Sequence, residues 1–295
     1  MSSAALAGRS DVQTHTLETP DVDLVYDVVG PLPTADGRLP LMMIGQPMDA
    51  SGFRALRGFF PDRTVITYDP RGGGRSVRKD GQAVQTPQDQ ARDVHAVIEA
   101  LGGGPVEMFA SSGGAVVALA LVAAFPGDVR VLVAHEPPMN PVLPDAEAAH
   151  RARAHYLETY QAKGFGAGMA AFQAMYAWEG EFTEAYFAQP DPDPAQFGLP
   201  VEDDGSRDHP LLAGRAVAIT DYHPDVAALS TGPTRVVIAV GEETGNVYTA
   251  RTARAAARVL GGEATVFPSH HLGFVDGVGR PEEFAARLRE VLDAA

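Results

Sequence analysis

Val106-Glu107-Met108-Phe109-Ala110-Ser111-Ser112-Gly113-Gly114 runs as an apolar, strand-like segment into a cluster of small residues, and Ala115-Val116-Val117-Ala118-Leu119-Ala120-Leu121 continues at once as a helix. A serine on so tight a strand-to-helix turn is strained and held out from the backbone, and only small side chains two places before and after it avoid a clash. Around Ser112 those positions hold Ala110 and Gly114; around Ser111 the first of them would be Phe109, so sterics select Ser112. A small-residue cluster alone also describes a flexible turn. The strand before it and the helix after it make Ser112 the candidate nucleophile.

The flanking sequence repeats this alternation. Strand-like runs are expected at 23–29, 39–44, 64–68 and 129–134, with a helix over roughly 88–101. From about Pro137 to Ala227 helical patterning takes over, around 146–161, 166–177 and 210–219, interrupted by the acidic, proline-rich Gln189-Pro190-Asp191-Pro192-Asp193-Pro194. Strands resume at 235–240 and 264–267, and an amphipathic helix closes the chain at about 281–292. The expected fold is α/β: a mostly parallel central sheet with helices on both faces, formed by residues 1–137 and 228–295, and an inserted helical lid over 138–227.

Composition narrows the chemistry. With no cysteine, disulfides, thiolate zinc sites and a cysteine nucleophile are excluded. A net charge of −15 argues against a nucleic-acid partner, which needs clustered Lys and Arg. No apolar run is long enough to span a bilayer, and Met1–Arg9 lacks the charged-then-apolar order of a secretory signal. A cytoplasmic protein acting on a small-molecule substrate is expected, with no membrane partner and with a homo-oligomer left open.

With the turn at Ser112 placed, the chain resembles the α/β-hydrolase fold superfamily. Besides that turn, the resemblance is carried by Ile44-Gly45-Gln46-Pro47, by Tyr68-Asp69-Pro70-Arg71-Gly72-Gly73-Gly74-Arg75-Ser76 and by Phe267-Pro268-Ser269-His270-His271-Leu272-Gly273-Phe274. It covers nearly the whole chain outside the helical insertion. A serine hydroxyl is a poor nucleophile until a histidine accepts its proton. The resemblance implies that this histidine lies after the last strand, where His271 fits the spacing better than His270. His15, His95, His150, His155, His209 and His223 read as surface or capping residues. The same resemblance implies an oxyanion hole from the backbone N–H groups of Gln46 and Gly113, and gives Asp69, Arg71 and Ser76 a structural role. Where relatives often carry histidine before Gly45, this chain has Ile44.

The third catalytic member departs from the family pattern. Most relatives place an aspartate three residues after the glycine that here is Gly241, and that position is Thr244. Two replacements are open. Glu243, or its neighbour Glu242, lies in the same loop, whereas Glu136 follows Ser112 by 24 residues at the end of the preceding strand. Some subgroups of the superfamily place their acid there. A carboxylate at the C-terminal end of a neighbouring parallel strand is well placed to orient an imidazole, so Glu136 is preferred and Glu243 is the alternative. His135-Glu136 is not a zinc motif, because Met139 stands where a second histidine would be needed.

The function expected from this set is a serine hydrolase that cleaves a small or medium, largely apolar ester, lactone or thioester through an acyl-enzyme, without cofactor or metal. The insertion carries Phe172, Met175, Tyr176, Trp178, Phe182, Tyr186 and Phe187, enough to wall an apolar pocket. Carbon–carbon bond hydrolysis and acyl transfer are alternatives on the same residues. A non-hydrolytic or ligand-binding role gains if no glutamate reaches His271.

Overall fold

The computed structural model describes residues 12–294; Met1–Arg9, read above for its targeting order, lies outside them. Among the described residues nine strands form one sheet: β1 Val12–Glu18, β2 Val22–Val29, β3 Leu41–Gln46, β4 Val65–Tyr68, β5 Val77–Arg78, β6 Val106–Ser112, β7 Val129–His135, β8 Arg235–Gly241 and β9 Thr265–Phe267. Their order is β1-β2-β4-β3-β6-β7-β8-β9, with β5 paired to β2. β2 runs antiparallel to β1, β4 and β5, and every pairing from β4 through β9 is parallel. β3, β4 and β6 are almost wholly buried, as strands covered on both faces must be, which is why they read as continuous apolar runs.

The helices are α1 Arg54–Gly58, α2 Pro87–Ala100, α3 Gly113–Ala124, α4 Ala146–Ala177, α5 Glu184–Phe187, α6 Val217–Thr220, α7 Val226–Thr231, α8 Tyr248–Val259 and α9 Pro281–Asp293. One face of the sheet packs against α2, α3 and α8, through Val94, Val97, Leu119 and Ala253 among others. The opposite face packs against α1 and α9, through Phe53, Leu56, Phe284 and Leu288. α3 is apolar all round because it is enclosed on every side, between the sheet and helices α2, α6 and α7.

A third cluster lies in the segment between β7 and β8, where Ala149, Tyr156, Tyr160, Met175 and Phe182 gather with Tyr248 of α8. The break expected between two helices here is a kink inside α4, where Gly164 adopts φ 83°. Asp203 fills the place a side chain at 164 would need, so only glycine fits both the angle and the space. The helix expected over 210–219 is shorter in the structure: Gly214 has φ 74°, and helical backbone is confined to Val217–Thr220. Ile219 and Tyr222 from this stretch pack on the main sheet's core.

The loop after β4 is an ion-paired brace. Arg71 makes two 2.6 Å bonds to Asp93 of α2. Asp69 accepts from the backbone of Ala50 and Arg75, and the Ser76 hydroxyl links the Asp69 carbonyl to the Val25 amide. Among the described residues no helix is long and apolar enough to cross a membrane, and no three His, Asp or Glu side chains are grouped to hold a metal ion.

Candidate active site

The parallel strands bring their C-terminal ends together, and the candidate residues sit along that edge. Gln46 ends β3 opposite Ser112, which ends β6, while Glu136 follows β7 directly. Open parallel sheets place their ligand crevice at this edge. Ser112 has φ 56° and ψ −130°, a conformation disfavoured for any residue with a side chain, and α3 begins at the next residue. A Cβ on Gly114 would come within 2.7 Å of the Gly45 Cα, so the close passage of β3 beside this turn requires glycine there. Gly113 packs equally closely on Gln46, its Cβ position lying 3.0 Å from the Gln46 carbonyl oxygen. The two candidate oxyanion residues are therefore in contact. Ile44 is fully buried in the core.

Glu136 also has positive φ, 49°, and its side chain is completely buried. Its carboxylate accepts four hydrogen bonds. One oxygen takes the Gly241 amide at 2.9 Å and the Thr244 hydroxyl at 2.6 Å. The other takes the Thr249 hydroxyl at 2.8 Å and His271 Nδ1 at 2.7 Å. Burial pushes the carboxyl up, but the hydrogen bonds donated by His271 and the Thr244 hydroxyl outweigh it and hold the group below the usual carboxylate range. An ionised carboxylate only accepts, so His271 carries its proton on Nδ1, leaving the Nε2 lone pair as a base.

Thr244, at the position where the resemblance leads an acid to be expected, instead donates to the Glu136 carboxylate. In the sequence Gly241 and Thr244 mark only a strand end and a missing acid, and Thr249 stands out not at all, because a neutral donor leaves no signal until the carboxylate it serves is located. A Cβ on Gly241 would come within 2.5 Å of the Thr244 hydroxyl oxygen, so the glycine lets that threonine close over the acid. Glu243 and Glu242 are placed differently: both pair with Arg280 at the surface. His270 is likewise turned away, with Nε2 3.3 Å from the Val278 carbonyl.

Ser112, Gly113, Gln46 and His271 share one cavity of about 580 Å³. The segment between β7 and β8 supplies much of its wall, including Tyr156, Leu157, Phe172, Tyr176 and Ile219. Of the aromatics singled out in the sequence, Phe172 and Tyr176, one turn apart, face this space, whereas Phe182 is buried in the third cluster. His209 reads as a surface residue but lines the cavity. Between the cavity and the brace loop, Gln46 Nε2 donates to Gln85 Oε1 at 2.6 Å and Gln85 Nε2 donates to the Arg71 carbonyl at 3.0 Å. Because a carbonyl can only accept, it fixes the orientation of both amides in turn.

The parallel sheet, the strained serine turn and the two-sided helical layers define the α/β-hydrolase fold. A family model for that fold matches residues 51–179. The chain is 26% identical to the "uncharacterized hydrolase YraK" of Bacillus subtilis, with 96% of this chain and 97% of that one covered. Among solved structures it is similar to an esterase of Thermogutta terrifontis, with TM-score 0.64, 20% identity and 96% and 98% of the two chains covered. It is also similar to a proline iminopeptidase of Mycobacterium smegmatis, with TM-score 0.62, 22% identity and 96% and 100% covered. The chain has the α/β-hydrolase fold.

Proposed function

We propose that the protein is a serine hydrolase that cleaves a small or medium, largely apolar ester, lactone or thioester through an acyl-enzyme. The observation that carries this reading is the 2.7 Å contact between Glu136 and His271, with Ser112 on the wall of the same cavity. The descriptions of YraK as a hydrolase and of the Thermogutta protein as an esterase support it.

In this reading Ser112 Oγ attacks the substrate carbonyl and passes its proton to His271 Nε2. Glu136 holds the ring in the tautomer that can receive it and stabilises the imidazolium that forms. The Gln46 and Gly113 amides take the negative charge that develops on the carbonyl oxygen. Collapse of the tetrahedral intermediate expels the alcohol or thiol, which takes the proton from His271 and leaves an acyl-Ser112 ester. Water then repeats the sequence and releases the acid. Residues 138–227 serve as the lid that closes the substrate's apolar body against residues 1–137 and 228–295.

A panel of p-nitrophenyl esters of increasing acyl length tests the reaction. Wild type is expected to turn over at least one member, and Ser112→Ala to fall by about 10⁵-fold or more, towards the residual rate that binding and oxyanion contacts sustain. Equal rates in the two proteins, or no turnover of any member by the folded wild type, would overturn the reading.

A further inference from the structure

The cavity wall has a polarity that the proposed reaction does not use. Most of its polar side chains are already committed. Gln46 and Gln85 bond to one another. The Thr220 hydroxyl donates to the Val217 carbonyl and accepts from Arg153. Arg71, the one Arg or Lys side chain on the wall among the described residues, is bound through two nitrogens to Asp93. Burial lowers the His209 pKa and favours a neutral ring there. Glu136 lies behind His271.

Tyr156 and Tyr176 are different. Both line the cavity, yet neither hydroxyl has a protein partner among the described residues, and neither is among the buried polar atoms sealed from it. Their rings are fixed rather than free. Phe172 lies between them, edge-on to Tyr156 at 5.3 Å and against Tyr176 at 4.2 Å, and Tyr248 braces Tyr176 from behind at 5.1 Å. The Tyr248 hydroxyl donates to Asn140 at 2.6 Å, and no hydrogen bond joins it to Tyr176 among the described residues. Burial drives the Tyr176 hydroxyl well above its ordinary pKa and the Tyr156 hydroxyl up to about 12, so both remain protonated donors at neutral pH. Both rings pack on the one Phe172 ring, so the two tyrosines belong to the same stretch of cavity wall.

We propose that Tyr156 and Tyr176 form a paired donor subsite that selects substrates bearing a neutral oxygen acceptor, such as a ketone, ether or second ester carbonyl, on the apolar portion held in the cavity away from the scissile bond. This rests on the assignment of Ser112 as nucleophile and narrows its substrate class. A purely hydrocarbon chain leaves two hydroxyls buried without partners, which is unfavourable. A carboxylate finds no uncommitted cation on the wall and meets a chain with net charge −15.

The test uses matched p-nitrophenyl esters in which one ketone oxygen is walked carbon by carbon along the acyl chain, beside the plain alkyl ester and the half-ester of the corresponding dicarboxylate. One oxo position is expected to raise kcat/KM by about tenfold over the alkyl ester, chiefly through KM, with the half-ester the poorest. In Tyr156→Phe and Tyr176→Phe that oxo-to-alkyl ratio falls by about threefold each, and in the double variant it approaches one. Calorimetric binding of the same esters to Ser112→Ala, with and without the tyrosine changes, separates recognition from reaction. Preferential binding of the oxo ester without wild-type turnover keeps the subsite and removes the hydrolase reading. Turnover with no oxo preference, or a preference that survives in the double variant, overturns the subsite and leaves the hydrolase reading intact. No binding of any ester in the series overturns the subsite.

Discussion

Glu136→Gln is expected to lower kcat for a cleaved ester by about 10³- to 10⁴-fold, whereas Glu243→Gln stays within about twofold of wild type, as for an exposed substitution. The reason lies in the four donors that converge on the Glu136 carboxylate. Glutamine offers one acceptor oxygen and one NH2 group. If the oxygen faces His271, the NH2 confronts the Gly241 amide, which can only donate, across a space that holds a 2.9 Å hydrogen bond. If the amide turns over, its NH2 meets His271 Nδ1 and favours the tautomer with the proton on Nε2, which has no lone pair for the Ser112 proton. Either arrangement damages the base without removing the nucleophile. Glu243 pairs with Arg280 at the surface, so its loss disturbs neither. Steady-state kinetics on both variants, with a thermal melt to show that each is folded, checks the contrast. A large loss in Glu243→Gln with little change in Glu136→Gln would reverse the assignment.

His135→Phe is expected to remove an acid-sensitive component of stability worth about 3 kcal/mol. His135 is completely buried, with neither ring nitrogen hydrogen-bonded among the described residues. It is caged by Phe109, Phe267, Phe274 and Phe284, and the His271 ring lies 6.1 Å away. Burial, against the opposing pull of Glu136, brings its pKa down from 6.5 to about 4. Between those values the unfolded chain binds a proton that the native state refuses. The contribution is therefore complete above about pH 6.5 and is lost as the pH falls to about 4. Phenylalanine is close to isosteric and brings no unsatisfied nitrogen into the aromatic cage, so the variant should match or exceed wild type at pH 7. Denaturant unfolding of both proteins across pH 4 to 7 measures the difference in slope. Parallel slopes would show that His135 is not held neutral.

Much of this architecture is legible in the chain because it depends on local sterics. Ala110 and Gly114 mark Ser112, and the run from Ala115 to Leu121 shows a helix enclosed on all sides. The kink at Gly164 lies between the two helices expected there. Features made through space are harder to see. α8 escapes the reading, as does β1, whose residues are mostly exposed and lack an apolar pattern. The helix expected over 210–219 is limited to its last few residues, because Gly214 adopts positive φ. The sequence narrows the acid to two loops and prefers Glu136 over Glu243 only from its place at the end of a strand. The donors around Glu136 come from Gly241, Thr244 and Thr249, residue types with no chemical signature of their own. Tyr156 sits sixteen positions from Phe172 across a kink, so no periodicity links it to the aromatics it meets.

Covalent labelling by a fluorophosphonate, read by intact mass and then by peptide mapping, reports whether Ser112 is an activated nucleophile. An activated serine gives one adduct per chain on the peptide containing Ser112, no adduct in Ser112→Ala and markedly slower labelling in Glu136→Gln. A folded wild-type protein that remains unlabelled, or an adduct that maps to another residue and persists in Ser112→Ala, would contradict a nucleophilic Ser112 driven by His271 and Glu136.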